Sequence, residues 1–208
     1  MIVQWCIKGM HLPDNPTAAR LIDDRMGIVS NWWRTAGKIN PAQVRAKLSP
    51  HNVNMHVNHF TQIDPVTGKP FCEGTPFISL SAGGVERDVF ARTNHVHTAR
   101  RTALWFATQF GKKDYGYLYT CWVLLAPRMA AEVEALAEEV RDLNTYRRYS
   151  AYQTEGEVLA KIAVPDNQIQ KCERWQLNAS RTAYECVWDH PNMRFTDPHR
   201  LTNVRELI

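Results

Sequence analysis

Tyr149-Ser-Ala-Tyr-Gln-Thr-Glu-Gly-Glu-Val-Leu-Ala-Lys-Ile-Ala-Val164 runs from a polar, aromatic loop into a short apolar strand. Two carboxylates, Glu155 and Glu157, flank a glycine where the loop becomes strand. Side chains at i and i+2 of a strand share a face. Both glutamates therefore aim at one spot, just before residues 158–162 enter the sheet. Like charges held that close disfavour each other's ionisation. Taken alone, the pair reads as two solvated glutamates at a strand end, the commonest setting for Glu. The segments around it shift that balance.

Working outward, residues 129–143 carry Val133, Leu136, Ala137, Val140 and Leu143 at helical spacing, with the glutamates between them facing water, which predicts a helix. Residues 117–125 are nearly all β-formers and predict a central strand. Residues 98–110 predict a short helix, with Ala99, Ala103, Phe106, Ala107 and Phe110 on one side and Gly111 as its stop. Its small residues imply close packing on a sheet. Thr75-Pro-Phe-Ile-Ser-Leu-Ser81 predicts a strand with Phe77, Ser79 and Ser81 on one face. Two hydroxyls on one face suit a polar site or a solvated edge. Gly83-Gly84 then allows a tight turn or close approach to a ligand.

Nearer the N-terminus, residues 53–60 alternate polar and apolar and fit a half-buried strand or an irregular crossing. That places His56 and His59 on opposite faces, with no third metal ligand beside them. Asn40-Pro41 opens a helix that Ser49-Pro50 stops, and Asn15-Pro16 opens another. Ile2 to Ile7 is a strand that Lys8-Gly9 ends. Downstream, residues 169–175 predict a further strand. From Asn178 the chain turns polar and rich in breakers. The division expected is a domain over 1–177 and an extension over 178–208, packed through Trp188, Phe195 and Leu201 or held for a partner.

With 208 residues, 44% hydrophobic and 22% charged, the chain is long enough to bury a core without disulfides. A net charge of +4 permits an anionic partner without demanding one. Five cysteines lie singly, with no C-x-x-C pair, and suggest reduced thiols in a cytosolic protein. Neither a leader-like segment nor an apolar run of membrane-spanning length is present, so a cytoplasmic location without membrane contact is expected.

The order of these pieces resembles the mono-ADP-ribosyltransferases of the arginine–serine–glutamate class. Phe77-Ile-Ser-Leu-Ser81 is similar to the family's aromatic/hydrophobic-Ser-Thr-Ser strand. Thr154-Glu-Gly-Glu-Val-Leu159 is similar to its [Gln/Glu]-x-Glu strand start, and Tyr149 and Tyr152 fall in the preceding loop. Two departures stand out. Lys8, followed by Gly9, occupies the slot of the family's first-strand arginine, and Leu80 replaces a threonine that faces away from the site. Lysine is a point charge and lacks arginine's planar fork. The family's histidine-bearing members bring His56 or His59 into question as contributors.

The resemblance implies an α+β fold of two packed, mostly antiparallel sheets around an NAD cleft with flanking helices. It implies NAD as substrate and no metal. Glu157 and Ser79 would act on the nicotinamide ribose, where a preplaced carboxylate stabilises the cationic sugar as nicotinamide leaves. Glu155 would take a proton from the acceptor. Lys8, Gly9, Ser81, His56 and an aromatic such as Phe77, Phe90 or Tyr152 would hold NAD. A glutamate at position 155 accompanies arginine acceptors in the family, so the expected acceptor is a protein arginine, with nucleic acid as the other candidate. A toxin or defence effector with an antitoxin partner is the implied context. An NAD glycohydrolase, or an inactive transferase-like binding module, is the competing interpretation.

Overall fold

The computed structural model describes residues 2–37, 40–65, 67–82, 84–88, 93–97, 99–125, 137–139 and 157–198. The first strand, β1 (Ile2–Met10), is antiparallel to β6 (Tyr115–Leu125) over its whole length, from Ile2 opposite Leu125 to Met10 opposite Tyr117. On the far side of β6, antiparallel β10 (Ile169–Leu177) and then β11 (Tyr184–Pro191) extend the sheet. The other leg is formed by β3 (Phe77–Ser81), antiparallel β8 (Glu157–Lys161) and β7 (Ala137–Glu139), which returns to the end of β6 as a parallel neighbour. β1 meets β3 at one register pair, Ile7 opposite Ser81. The two legs are thus joined through β1 and β6. Short ribbons β2 (Ile28–Val29) with β9 (Ala163–Val164), and β4 (Gly84–Asp88) with β5 (Thr93–His97), complete the strands.

Helices flank this sheet, and their starts are written in the sequence. Asp14 caps α1 (Asn15–Asp23), Ser30 caps α2 (Asn31–Thr35), and Asn40 closes a capping box with Gln43 on α3 (Pro41–Lys47). α1 lays Ala18 and Ile22 on the sheet, where Tyr119 donates its hydroxyl to Ala18 O at 2.9 Å and Tyr117 donates to Asn15 Oδ1 at 2.8 Å. Those bonds let two large tyrosines sit fully buried without orphaned hydroxyls. On the opposite side, α5 (Ala99–Ala107) brings Ala103 and Ala107 against Leu118. Its close approach needs glycine beneath it: a Cβ on Gly9 would stand 1.9 Å from Ala103 O, and one on Gly116 2.5 Å from Ala107 Cβ.

Four expectations need correction. Lys8-Gly9 does not end the first strand, because β1 keeps its pairing with β6 through to Met10. Residues 53–60 are no strand, because Ser49 and Pro50 both end α3 and start α4 (Pro50–Asn58). Its buried Val53, His56 and Val57 follow the i, i+3, i+4 rule of a helix face. Residues 137–139, expected inside a helix, form strand β7, and pairing with β8 outweighs helix propensity there. The segment after Asn178, expected as a polar, breaker-rich extension with no strand of its own, contains β11. Trp122 Nε1 donates to Thr196 O at 2.8 Å, and Trp5 lies 5.9 Å from Phe195, so this end lies on the sheet. Leu201 lies outside the described residues. Cys6, Cys121 and Cys172 are buried, Cys186 is exposed, and none of the five cysteines is in a disulfide.

Candidate active site

The alternation of β3 assigns its two faces different work. Ile78 and Leu80 join Val158 and Ala160 in the main core. Phe77 and Leu159 turn the other way, onto Val53 and Val57 of α4. Ser79 and Ser81 share that second face, and Glu157 stands opposite Ser81 at the first position of β8. Beyond the Ile7–Ser81 pair β1 parts from β3, and a cavity of about 720 Å³ opens between them. Lys8, Gly9, His56, Ser79, Ser81 and Glu157 all line it. Helix α5 closes one wall with Thr102, Ala103 and Phe106, and Phe60, Thr61 and Phe110 stand at its rim. A second lobe of about 250 Å³ shares Lys8, Gly9, His56, Phe60 and Ser79 with the first, so the two form one cleft.

A directed hydrogen-bond chain runs through the site. The Ser79 hydroxyl is set toward the Glu157 carboxylate and favours its charged form. Its single proton being committed, Ser79 Oγ accepts from His56 Nε2 at 2.8 Å. His56 Nδ1 is then the acceptor for the Thr75 hydroxyl at 2.7 Å. Thr75 Oγ1 in turn accepts the Phe77 backbone N–H at 3.2 Å. The chain assigns the Nε2–H tautomer. It anchors Glu157, on one strand, to the backbone of another through a helix-borne imidazole.

Burial sets the charges. It drives the His56 imidazole down to about 3, with the Lys8 cation adding to the effect. His56 is therefore neutral at physiological pH, as its two bonds require. Burial raises the Glu157 carboxyl above the ordinary range, while the Ser79 bond and the Lys8 charge pull it back. Burial likewise lowers Lys8, which Glu157 and the Cys121 thiol oppose. Lys8 and Glu157 each favour the other's charged form.

The neutral imidazole has a stability signature. In the unfolded chain His56 binds a proton near pH 6.5, and in the folded chain only near 3. Between those limits the unfolded state holds more protons, so stability falls as pH falls, by about 1.4 kcal/mol per pH unit from this group. Chemical denaturation between pH 6.5 and 4 is expected to show a slope that shrinks by that amount in His56→Gln. An unchanged slope contradicts the buried neutral imidazole.

The cleft thus gathers Lys8, Gly9, His56, Ser79, Ser81 and Glu157, which the sequence scatters over 150 positions. Phe77 lies under His56, with ring centroids 5.8 Å apart, and is 2% exposed, lining the smaller lobe. Glu155, Tyr152, Tyr149 and Phe90 lie outside the described residues. Thr75, Phe60, Phe106 and Phe110 are new. Helical spacing put Phe106 and Phe110 on the side of Ala103 and Ala107, yet they are 38% and 50% exposed: Phe106 lies on α5 facing the cavity, and Phe110 follows the end of the helix, with φ of 62°. Among the described residues no three His, Cys, Asp or Glu side chains gather as a metal site, and no helix is long and apolar enough to cross a membrane.

This arrangement of strands and helices is shared, as a fold, with a solved ADP-ribosyltransferase toxin subunit. A similar solved structure is EcPltA, an ADP-ribosyltransferase toxin subunit, with TM-score 0.52 and 10% identity over 94% of this chain and 89% of that one. A mutant of the E. coli heat-labile enterotoxin superposes with TM-score 0.49 and 14% identity, over 93% of this chain and 78% of that one. An arginine-to-lysine mutant of heat-labile enterotoxin does so with TM-score 0.47 and 16% identity, over 93% and 77%. No family model matches the chain, and no curated protein matches it in sequence.

Proposed function

We propose that the chain is a mono-ADP-ribosyltransferase that cleaves the nicotinamide–ribose bond of NAD and passes ADP-ribose to a macromolecular acceptor. The observation that carries this is Glu157, a carboxylate held by Ser79 and faced by Lys8, at the wall of a cleft large enough for a dinucleotide. NAD supplies an N-glycosidic bond with a pyridinium leaving group, whose cleavage spreads positive charge over the ribose. Glu157 presents fixed negative charge to that position, in a site where burial strengthens electrostatics. Ser79 fixes the carboxylate, and neutral His56 fixes Ser79 without adding a repelling cation. Lys8 and Ser81 bind the anionic and hydroxyl parts of the dinucleotide. Glu155 accepts the proton of an attacking acceptor, a guanidinium or a nucleic-acid base.

The reaction needs ionised Glu157, so the rate rises with pH through a carboxyl value raised by burial. Ser79→Ala removes a hydrogen bond to the charged form and pushes that value higher. The acidic limb of the pH–rate profile is expected to move up by about one pH unit. A limb that stays in place contradicts the Ser79 role.

A toxin or defence effector, acting in the cytoplasm and held in check by an antitoxin protein, is the context this activity suits. The deciding experiment incubates the protein with NAD labelled on the adenylate, with and without cell extract or total RNA. Label on protein or RNA identifies a transferase and its acceptor. Nicotinamide release without labelling makes it a glycohydrolase, and no turnover at all overturns the enzymatic assignment.

A further inference from the structure

The two lobes of the cleft differ in charge. The larger holds Glu157, whereas among the described residues no carboxylate lines the smaller, which takes Lys8, His11 and Arg34. Arg34 lies in the last turn of the five-residue helix α2, and three interactions pin that helix. Ser30 N–H donates to Ile162 O at 2.8 Å, Trp32 N–H donates to Thr75 O at 3.0 Å, and Asn31 Nδ2 donates to Cys72 O at 2.7 Å. Arg34 itself makes no side-chain hydrogen bond or ion pair among the described residues, while Arg20, Arg181 and Arg194 each hold a carboxylate. Among the described residues, this guanidinium therefore has no partner, and it stands on a braced helix at the wall of a lobe that they line without a carboxylate. The Lys8 ammonium, shared by both lobes, is already set against Glu157.

We propose that this smaller lobe is a diphosphate site and that Arg34 is its anion-binding residue, supplying from α2 the planar fork that Lys8 cannot. A guanidinium makes paired, charge-assisted bonds to phosphate oxygens, which an ammonium does not. The inference rests on the transferase assignment for its natural ligand. It adds an orientation: the diphosphate lies toward α2, and the nicotinamide ribose lies toward β8. It also assigns a residue that no motif marks.

The test measures ADP binding by calorimetry for the full chain, Arg34→Ala and Arg34→Lys, with nicotinamide as the uncharged control. ADP is expected to bind, with affinity falling about ten-fold or more in Arg34→Ala and by less in Arg34→Lys. Nicotinamide binding is expected to stay within about two-fold. ADP binding equal to wild type in Arg34→Ala, or no ADP binding by the wild-type chain, overturns the proposal. NAD turnover, measured in parallel, separates the two claims. Arg34-dependent ADP binding without turnover keeps the diphosphate site and removes the activity. Turnover with an unchanged KM in Arg34→Ala keeps the activity and removes the site.

Discussion

Glu157→Gln is expected to slow nicotinamide release from NAD by about 100- to 1000-fold, the range seen when one preorganised electrostatic group is removed. Glutamine keeps the size and the hydrogen-bonding reach of glutamate and loses its charge. The first position of β8 and its pairing with Ser81 depend on backbone bonds, so the fold should persist. The loss should fall on kcat rather than KM, because the carboxylate meets a charge that develops only as the bond breaks. Lys8, deprived of Glu157, is lowered further by burial. A variant that cleaves NAD at the wild-type rate contradicts the site assignment. A variant whose circular dichroism departs from wild type shows Glu157 to be structural.

Gly9→Ala is the other change with a large expected effect, and it acts on the fold. The added methyl would stand 1.9 Å from Ala103 O, 2.7 Å from its carbonyl carbon and 3.2 Å from its Cα. All three are backbone atoms, so no rotamer relieves the clash. Helix α5 must lift from β1, opening the Ala103–Ala107–Leu118 cluster and displacing one wall of the cleft. A loss of about 3 kcal/mol in urea denaturation is expected, the upper end for overpacked cores. Ala103→Gly should not rescue it, since the obstacle is the carbonyl and not the methyl. Gly74→Ala, with nothing within 4 Å, should stay within about 0.5 kcal/mol of wild type. A Gly9→Ala protein as stable as Gly74→Ala contradicts the close helix–strand contact.

The legible parts of this chain were those that local physics decides. Period-2 alternation placed Ser79 and Ser81 on one face, and the change from loop to strand at Glu157 put that carboxylate at a strand start. Capping residues located α1 and α3 within a residue or two. What stayed hidden depends on partners distant in sequence. His56 lies in a segment whose alternation imitates a strand, and only the Ser49-Pro50 start and the later packing of Val53 and Val57 on Phe77 make it a helix. The bonds from His56 to Thr75 and Ser79 then follow from that helix lying across β3, 19 and 23 residues away. β7 is helix-like in composition and becomes strand because β8 offers it a ladder. Arg34 carries no local signal, since a guanidinium matters there only once β1, α2 and β3 enclose a lobe.

The central claim is that the Glu157 cleft cleaves NAD. Its most direct measurement is steady-state nicotinamide release from NAD by purified wild-type chain, with Glu157→Gln prepared in parallel as the background. The account predicts saturable release by wild type and a rate at least about 100-fold lower in the variant. Release that is absent from wild type, or equal in the two proteins, contradicts it.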